Sequence, residues 1–306
     1  MDQELELIAE KFRSIEIQGA TDTAVAVFNA IGEYIDRLNG EIEEIKTTLA
    51  QAGQYLSTVR PTEPMARNGV RYMLKESKEA VSKDELKSSL KRCADTLISD
   101  IQNSKPAIVS AGQTLLDGAS VILSHCHSGT VAGILTGLHE RNLDLKVITT
   151  ETRPRYQGRT TAKELLAAGI DVTMIVDSAA ASFIIDDSFM PVDAILIGSD
   201  EFTVEGDVIN KIGSLPLALA AKHCNKPIYV ATPLLKAGTE TLLSKPQMEK
   251  RPAMEIWPEA PKELQIINPA FELVDHELLT AYITEEGVIP SSEVYSVALK
   301  RYPWLK

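Results

Sequence analysis

The stretch Ile195 to Ser214, ILIGSDEFTVEGDVINKIGS, decides how the rest of this chain is read. With Ala194 it opens on a short apolar run containing β-branched residues, of the kind buried on both faces of a parallel sheet. Gly198 ends the run, and Ser199 and Asp200 follow at once. A loop containing Gly206 then leads to Asn210, Lys211 and Gly213, at the entrance of the helical pattern LPLALAAKHC. In open α/β sheets such strand-to-helix crossings line the ligand crevice, and the first turn of the helix offers backbone N–H groups to anions. Asp200 and Lys211 are therefore expected to share one crevice.

Working outward, short apolar runs alternate with helix-length segments at the spacing of βα units. Strands are expected at Ser120 to Leu123, Lys146 to Thr149, Val172 to Val176, Ala194 to Ile197 and Pro227 to Ala231. Crossover helices are expected at Thr130 to Arg141, Thr161 to Ala168, Ala179 to Ile185 and Leu215 to Cys224. The pattern predicts an α/β fold in which a Rossmann-like, doubly wound parallel sheet occupies residues 107–306. Residues 232–263, rich in Pro, Lys and Glu, read as a long loop, and the part from Gln265 onward as one more strand and helix. Residues 1–106 read as an all-α domain, because Val25, Phe28, Ile31, Ile35 and Leu38 recur at three- and four-residue steps. Gln18 to Asp22 separates the first two helices of that domain, and Arg60-Pro61-Thr62-Glu63-Pro64 interrupts and restarts the pattern.

Composition bounds the function. Of 306 residues, 44% are hydrophobic, and the net charge is −12 with a pI near 5.0. An acidic surface of this size argues against an electrostatic grip on nucleic acid, so any anion site must be basic locally. The opening MDQELELIAEKF has no apolar signal core, and no run approaches the ~20 apolar residues of a membrane span, so a cytoplasmic protein is expected. Cys93, Cys126 and Cys224 are odd in number and lack paired metal spacing, so each is expected to be a free thiol.

Chemistry concentrates after the first strand, in Ser124-His125-Cys126-His127-Ser128-Gly129-Thr130. The small turn suits a phosphate, and the positive end of the following helix would favour Cys126 as a thiolate, hence a base or nucleophile. His125 and His127 could in principle bind metal, but alternation aims both away from Cys126, and a structural Cys126 is the plainer competitor. The next strand ends in Thr149-Thr150-Glu151-Thr152-Arg153-Pro154, followed by Gln157-Gly158-Arg159-Thr160-Thr161. Arg153 and Arg159 could bind anions or fix the crevice carboxylates, or simply pair with Glu151. Lys236 adds a cation at the same end of the sheet.

In this order and combination, Cys126 in its turn, TETRP with QGRTTA, GSDEFTVEGDVINKIGS, Lys236 and Asn268-Pro269-Ala270-Phe271 with ITEEGVIP resemble a known family. It holds sugar-phosphate aldose–ketose isomerases together with the alpha, beta and delta regulatory subunits of the translation initiation exchange factor. Gly19-Ala20 and Arg60-Pro61-Thr62 resemble its amino-terminal ligand loops. Its isomerases keep a cysteine and an aspartate that the regulatory subunits generally lack, and both are here as Cys126 and Asp200. The resemblance implies conversion of ribose 1,5-bisphosphate to ribulose 1,5-bisphosphate, as in archaeal nucleoside-monophosphate degradation. Its alternatives are a methylthioribose 1-phosphate isomerase and a non-catalytic regulatory subunit. It implies substrate contacts from Gly19, Ala20, Arg60, Ser128, Gly129, Thr130, Asn210, Lys211 and Lys236, with Asp200 as acid, Cys126 as base, and neither cofactor nor metal. It also implies a homo-oligomer built of dimers, expected to be a hexamer, while charge and hydropathy leave no nucleic acid or membrane as expected partner. Gln18 where an arginine is usual, Thr21 where glycine or proline is common, and Ser199 in place of alanine are departures from the pattern.

Overall fold

The computed structural model describes residues 5–7, 9–10, 20–59, 64–238 and 248–306. The chain forms two compact units, one of Met1–Asn103, Leu235–Ala237 and Tyr302–Lys306, the other of Ser104–Leu234 and Gly238–Arg301. The expected division at residue 106 falls inside a helix, Lys83–Leu115, that runs through Pro106. Helix-favouring neighbours and the buried face of Leu86, Leu90, Leu97, Ile101 and Ile108 outweigh the one backbone hydrogen bond that proline removes.

The first unit is helical: α1 Ala20–Tyr34, α2 Ile42–Thr58, α3 Pro64–Glu76 and the first part of α4, Lys83–Leu115. The buried stripe of α1 is Ala24, Val27, Phe28 and Ile31, so Val25 sits at its margin rather than its centre. A Cβ on Gly69 of α3 would overlap the Phe28 ring, so glycine permits the close crossing of α1 and α3. The chain end returns to this unit, where Trp304 packs at a tilt against Tyr72 with centroids 5.0 Å apart and the Tyr302 hydroxyl meets Asp100.

The second unit is built on seven strands: β1 Val121–His125, β2 Lys146–Thr150, β3 Asp171–Ile175, β4 Ala194–Ile197, β7 Ile228–Ala231, β9 Ala281–Thr284 and β10 Gly287–Ile289. Their spatial order is β10-β9-β7-β4-β1-β2-β3, all parallel except the β10 edge. Without that edge strand, the main sheet has the doubly wound order 3-2-1-4-5-6 when its strands are counted along the chain. Crossover helices are α5 Gly129–His139, α6 Gln157–Ala167, α7 Ala180–Ile185 and α8 Ser214–Cys224. Ile134, Leu135, Leu138, Leu165 and Ile108 pack against Ile122, Val147 and Leu196 to form the core on one face. At roughly 1.5–3 kcal/mol per buried aliphatic side chain, this layer is the main stabilising element of the unit.

Two features differ from the sequence reading. The segment between β4 and α8 supplies β5 Glu201–Phe202 and β6 Val208–Lys211 to a second, antiparallel sheet, which β8 Phe271–Val274 completes in the order β5-β6-β8. Asn210 and Lys211, expected at the helix entrance, lie on a strand that ends just before that helix. The segment after Gln265 supplies three strands, β8, β9 and β10, before the helix α9 Val294–Arg301. Strands of three or four residues carry too little periodicity to be counted reliably from sequence. Of the expected long loop, residues 239–247 lie outside the described residues.

Candidate active site

The strand order reverses between β1 and β4, and a doubly wound sheet opens its ligand crevice at that point, beyond the carboxyl ends of the strands. Cys126 is the residue after β1, and Asp200 lies three residues past β4. Gly198, between β4 and Asp200, packs on the neighbouring turn, where a Cβ would stand 2.9 Å from the Ser128 Cβ. The sequence-distant turns 126–130 and 198–200 are thereby pressed together. Lys211 and Asp200 both act electrostatically on Cys126.

The state of the thiol is the main correction. Cys126 is buried, and burial pushes its thiol up to about 12, opposed by the Lys211 charge and reinforced by Asp200. The thiol therefore carries its proton at neutral pH, whereas the helix-terminus argument called for a thiolate. A helix end supplies a fraction of a charge, and removing the sulfur from water costs more than that fraction returns.

Cys126 is also held in a left-handed conformation, φ 68°, costly for a residue with a Cβ. Its N–H donates to Thr152 Oγ1 at 3.0 Å, and its carbonyl accepts from Thr161 Oγ1 at 2.9 Å. Thr152, itself at φ 60°, is fixed by Asp177, whose carboxylate accepts from the amides of Thr152 at 2.7 Å and Arg153 at 2.6 Å. The polar run after β2 thus builds the cysteine turn. Its arginines are occupied locally: Arg159 pairs with Glu151 at 3.4 Å and stacks on Tyr156, and Arg153 reaches the Tyr156 hydroxyl and the Ile256 carbonyl.

The Asn210-Lys211 pair sits at the end of β6, beside Glu272 and Phe271 of β8. The Lys211 ammonium lies 4.4 Å from the centre of the Phe271 ring, which steadies it without neutralising it. The Asn210 amide donates to Ser214 Oγ at 2.9 Å. Glu272 accepts from the amides of Gly213 at 2.6 Å and Leu215 at 2.9 Å. The first turn of α8, which the sequence reading offered to an external anion, is therefore capped by the protein's own carboxylate.

Ser128, Gly129 and Thr130 form the start of α5, with the Ser128 hydroxyl accepting from the Val131 amide at 3.4 Å. Lys105 of α4 was missed by sequence reasoning, and its ammonium lies 3.4 Å from where a Cβ on Gly129 would stand. Gln157 was quoted only within a motif, and its Oε1 is buried without a partner among the described residues. Neither carries a local signal, because each is brought to the strand ends by a helix. Lys236 belongs to the first unit, where the fully buried Asn68 donates to the carbonyls on either side of it, Leu235 at 3.0 Å and Ala237 at 2.7 Å. Ala20 opens α1 in that same unit. Gln18, Gly19 and Arg60 lie outside the described residues.

A parallel sheet of Rossmann order, with a thiol, a carboxyl and a lysine near its switch point, defines the class as a doubly wound α/β protein. The chain belongs to the Initiation factor 2 subunit family, whose sequence profile matches residues 16–291. It is 33% identical to the ribose 1,5-bisphosphate isomerase of Archaeoglobus fulgidus, over 98% of this chain and 94% of that protein. Among solved structures it resembles the Pyrococcus horikoshii OT3 translation initiation factor eIF-2B, with a TM-score of 0.80 and 24% identity over 95% of this chain and 98% of that one. It also resembles the 5-methylthioribose 1-phosphate isomerase of the same organism, with a TM-score of 0.74 and 26% identity over 99% of this chain and 88% of that one.

Proposed function

We infer that this protein is an aldose–ketose isomerase converting α-D-ribose 1,5-bisphosphate to D-ribulose 1,5-bisphosphate. The observation that carries the reading is the presence of Cys126 and Asp200 at the ends of adjacent central strands, with Lys211 and Asp200 both acting electrostatically on the thiol. The relative from Archaeoglobus fulgidus, named for this reaction and similar over nearly the whole chain, supports the choice of substrate.

A sugar carrying phosphate on its anomeric carbon cannot open its ring freely. Asp200 gives a proton to the ring oxygen as the bond from that oxygen to C1 breaks, and Cys126 takes the proton from C2. Return of a proton to C1 and loss of the C2 hydroxyl proton leave the 2-ketone, with no net gain or loss of atoms. Cys126 must be ionised for its role and Asp200 protonated. That pair holds one proton in total, as does a thiol beside a carboxylate. The reactive form therefore needs a shift of one proton within the pair rather than its removal to solvent. Lys211 favours that shift by stabilising the thiolate, and protonation of Asp200 removes the charge that opposes it. Phosphate is held by Lys211, Asn210 and the turn Ser128 to Thr130, and the family resemblance adds Lys236, Gly19, Ala20 and Arg60 as substrate contacts. The protein acts in the cytoplasm as a hexamer built of three dimers, which light scattering tests directly; a monomer at working concentration refutes the assembly.

The decisive assay is turnover of ribose 1,5-bisphosphate by the purified protein, with Cys126→Ser and Asp200→Asn each abolishing it while melting normally. Full activity in either variant overturns the roles. The family description also fits a regulatory subunit without catalysis, which predicts stable association with the translation initiation GTPase factor and no turnover in the same preparation.

A further inference from the structure

His125 lies at the end of β1, next to Cys126 in sequence, and is buried with both ring nitrogens engaged. Nε2 lies 2.9 Å from the Ile212 carbonyl, which can only accept, so the neutral ring carries its proton there. Nδ1 then accepts from Thr150 Oγ1 at 2.7 Å. With its own proton committed, the Thr150 oxygen accepts from Thr152 Oγ1 at 3.3 Å, and Thr152 in turn accepts the Cys126 N–H. One unbroken directional chain runs from the Cys126 backbone through two threonines and the imidazole to the residue that follows Lys211. A Cβ on Gly213 would stand 2.7 Å from the ring Cε1 and 2.8 Å from Nε2, so the lysine-bearing turn closes directly on the imidazole.

We propose that His125 is a positioning residue: its neutral imidazole is the strut that fixes the Lys211 turn against the strained Cys126 turn. It contacts no reacting atom and acts through the separation of the ammonium and the sulfur. Burial lowers the His125 pKa, so the strut stays neutral through the physiological range. The charged groups facing the ring are Asp177 beyond β3, which favours its protonation, and Lys211 at the end of β6, which opposes it. Those facing the thiol are Lys211, Asp200 and Asp177. Without the strut Lys211 recedes, and the thiol loses the largest influence that favours its ionisation. As a statement about turnover this rests on the isomerase reading; as a statement about Cys126 it does not.

The test is alkylation of Cys126 by iodoacetamide in the full-length protein, followed by peptide mapping between pH 7 and 10. His125→Leu is expected to slow alkylation at pH 8.5 about ten-fold, as one pKa unit predicts for a thiolate nucleophile. His125→Gln, which keeps an amide donor toward Ile212 and an acceptor toward Thr150, is expected to recover most of that rate. Thr150→Val breaks the chain one link away with nearly unchanged volume and is expected to slow alkylation in the same direction, and it serves if the leucine variant does not fold. A residue with only a structural role changes the melting temperature and leaves the pH profile of alkylation in place. An unchanged or faster rate in the variant that folds overturns the proposal. Absence of sugar-phosphate turnover in the unmutated protein would instead refute the isomerase reading, leaving the alkylation comparison to judge the strut.

Discussion

Replacing Glu272 removes a carboxylate that the protein has placed at the start of α8, where a phosphate was expected from the sequence. One of its oxygens accepts from Gly213 at 2.6 Å and Leu215 at 2.9 Å. Hydrogen bonds to a charged group contribute about 1.5–3 kcal/mol each. Glu272 is half-buried, so water replaces part of what is lost, and about 1–1.5 kcal/mol per bond is the appropriate figure. Glu272→Ala should therefore cost about 2–3 kcal/mol. Glu272→Gln keeps an acceptor and loses the charge, so it should cost about 1 kcal/mol, including the interaction with the helix dipole. For a domain of this size 1 kcal/mol moves the melting temperature by roughly 2–4 °C, so calorimetry should read a fall of about 4–12 °C for alanine and 2–4 °C for glutamine. Because the same bonds hold the turn after Lys211, turnover should fall in the same order. Equal losses in the two variants, or an alanine shift under about 1 °C, would show that the carboxylate does not cap this helix.

Three further outcomes are expected. Burial raises the Cys126 thiol from an ordinary 9.0 to about 12, so the folded chain binds the proton more tightly than the unfolded one. Stability should be intact below pH 9 and decline as the pH climbs toward 12, and urea midpoints for Cys126→Ser should lack that decline. His125 has the opposite sign: its folded value lies below 6.5, so its contribution is present above that pH and is lost as the pH falls, at up to about 1.4 kcal/mol per unit. His125→Gln should remove that part of the slope between pH 5 and 7, and an identical slope would contradict it. Lys236→Ala should weaken ribose 1,5-bisphosphate by about 1.5–3 kcal/mol more than a 1-phosphate lacking the second phosphate, as read by calorimetric titration; equal losses would place the second phosphate elsewhere.

The sequence by itself determined the central sheet. Ala194–Ile197 was located without error, and the other runs to within a few residues, because a strand buried on both faces must be apolar throughout and must end at a turn residue. It also made Cys126 and Asp200 neighbours, since they follow strands that this doubly wound order places side by side. The neighbourhood of those groups was decided only by the tertiary structure. Glu272 lies 59 residues beyond Gly213, and Ile212 87 residues beyond His125, and no local pattern records pairings that long. The protonation of Cys126 was misread for the same reason. A helix terminus is visible in sequence, but the depth at which a sulfur is buried is set by every segment packed above it, and burial is the larger influence on its proton.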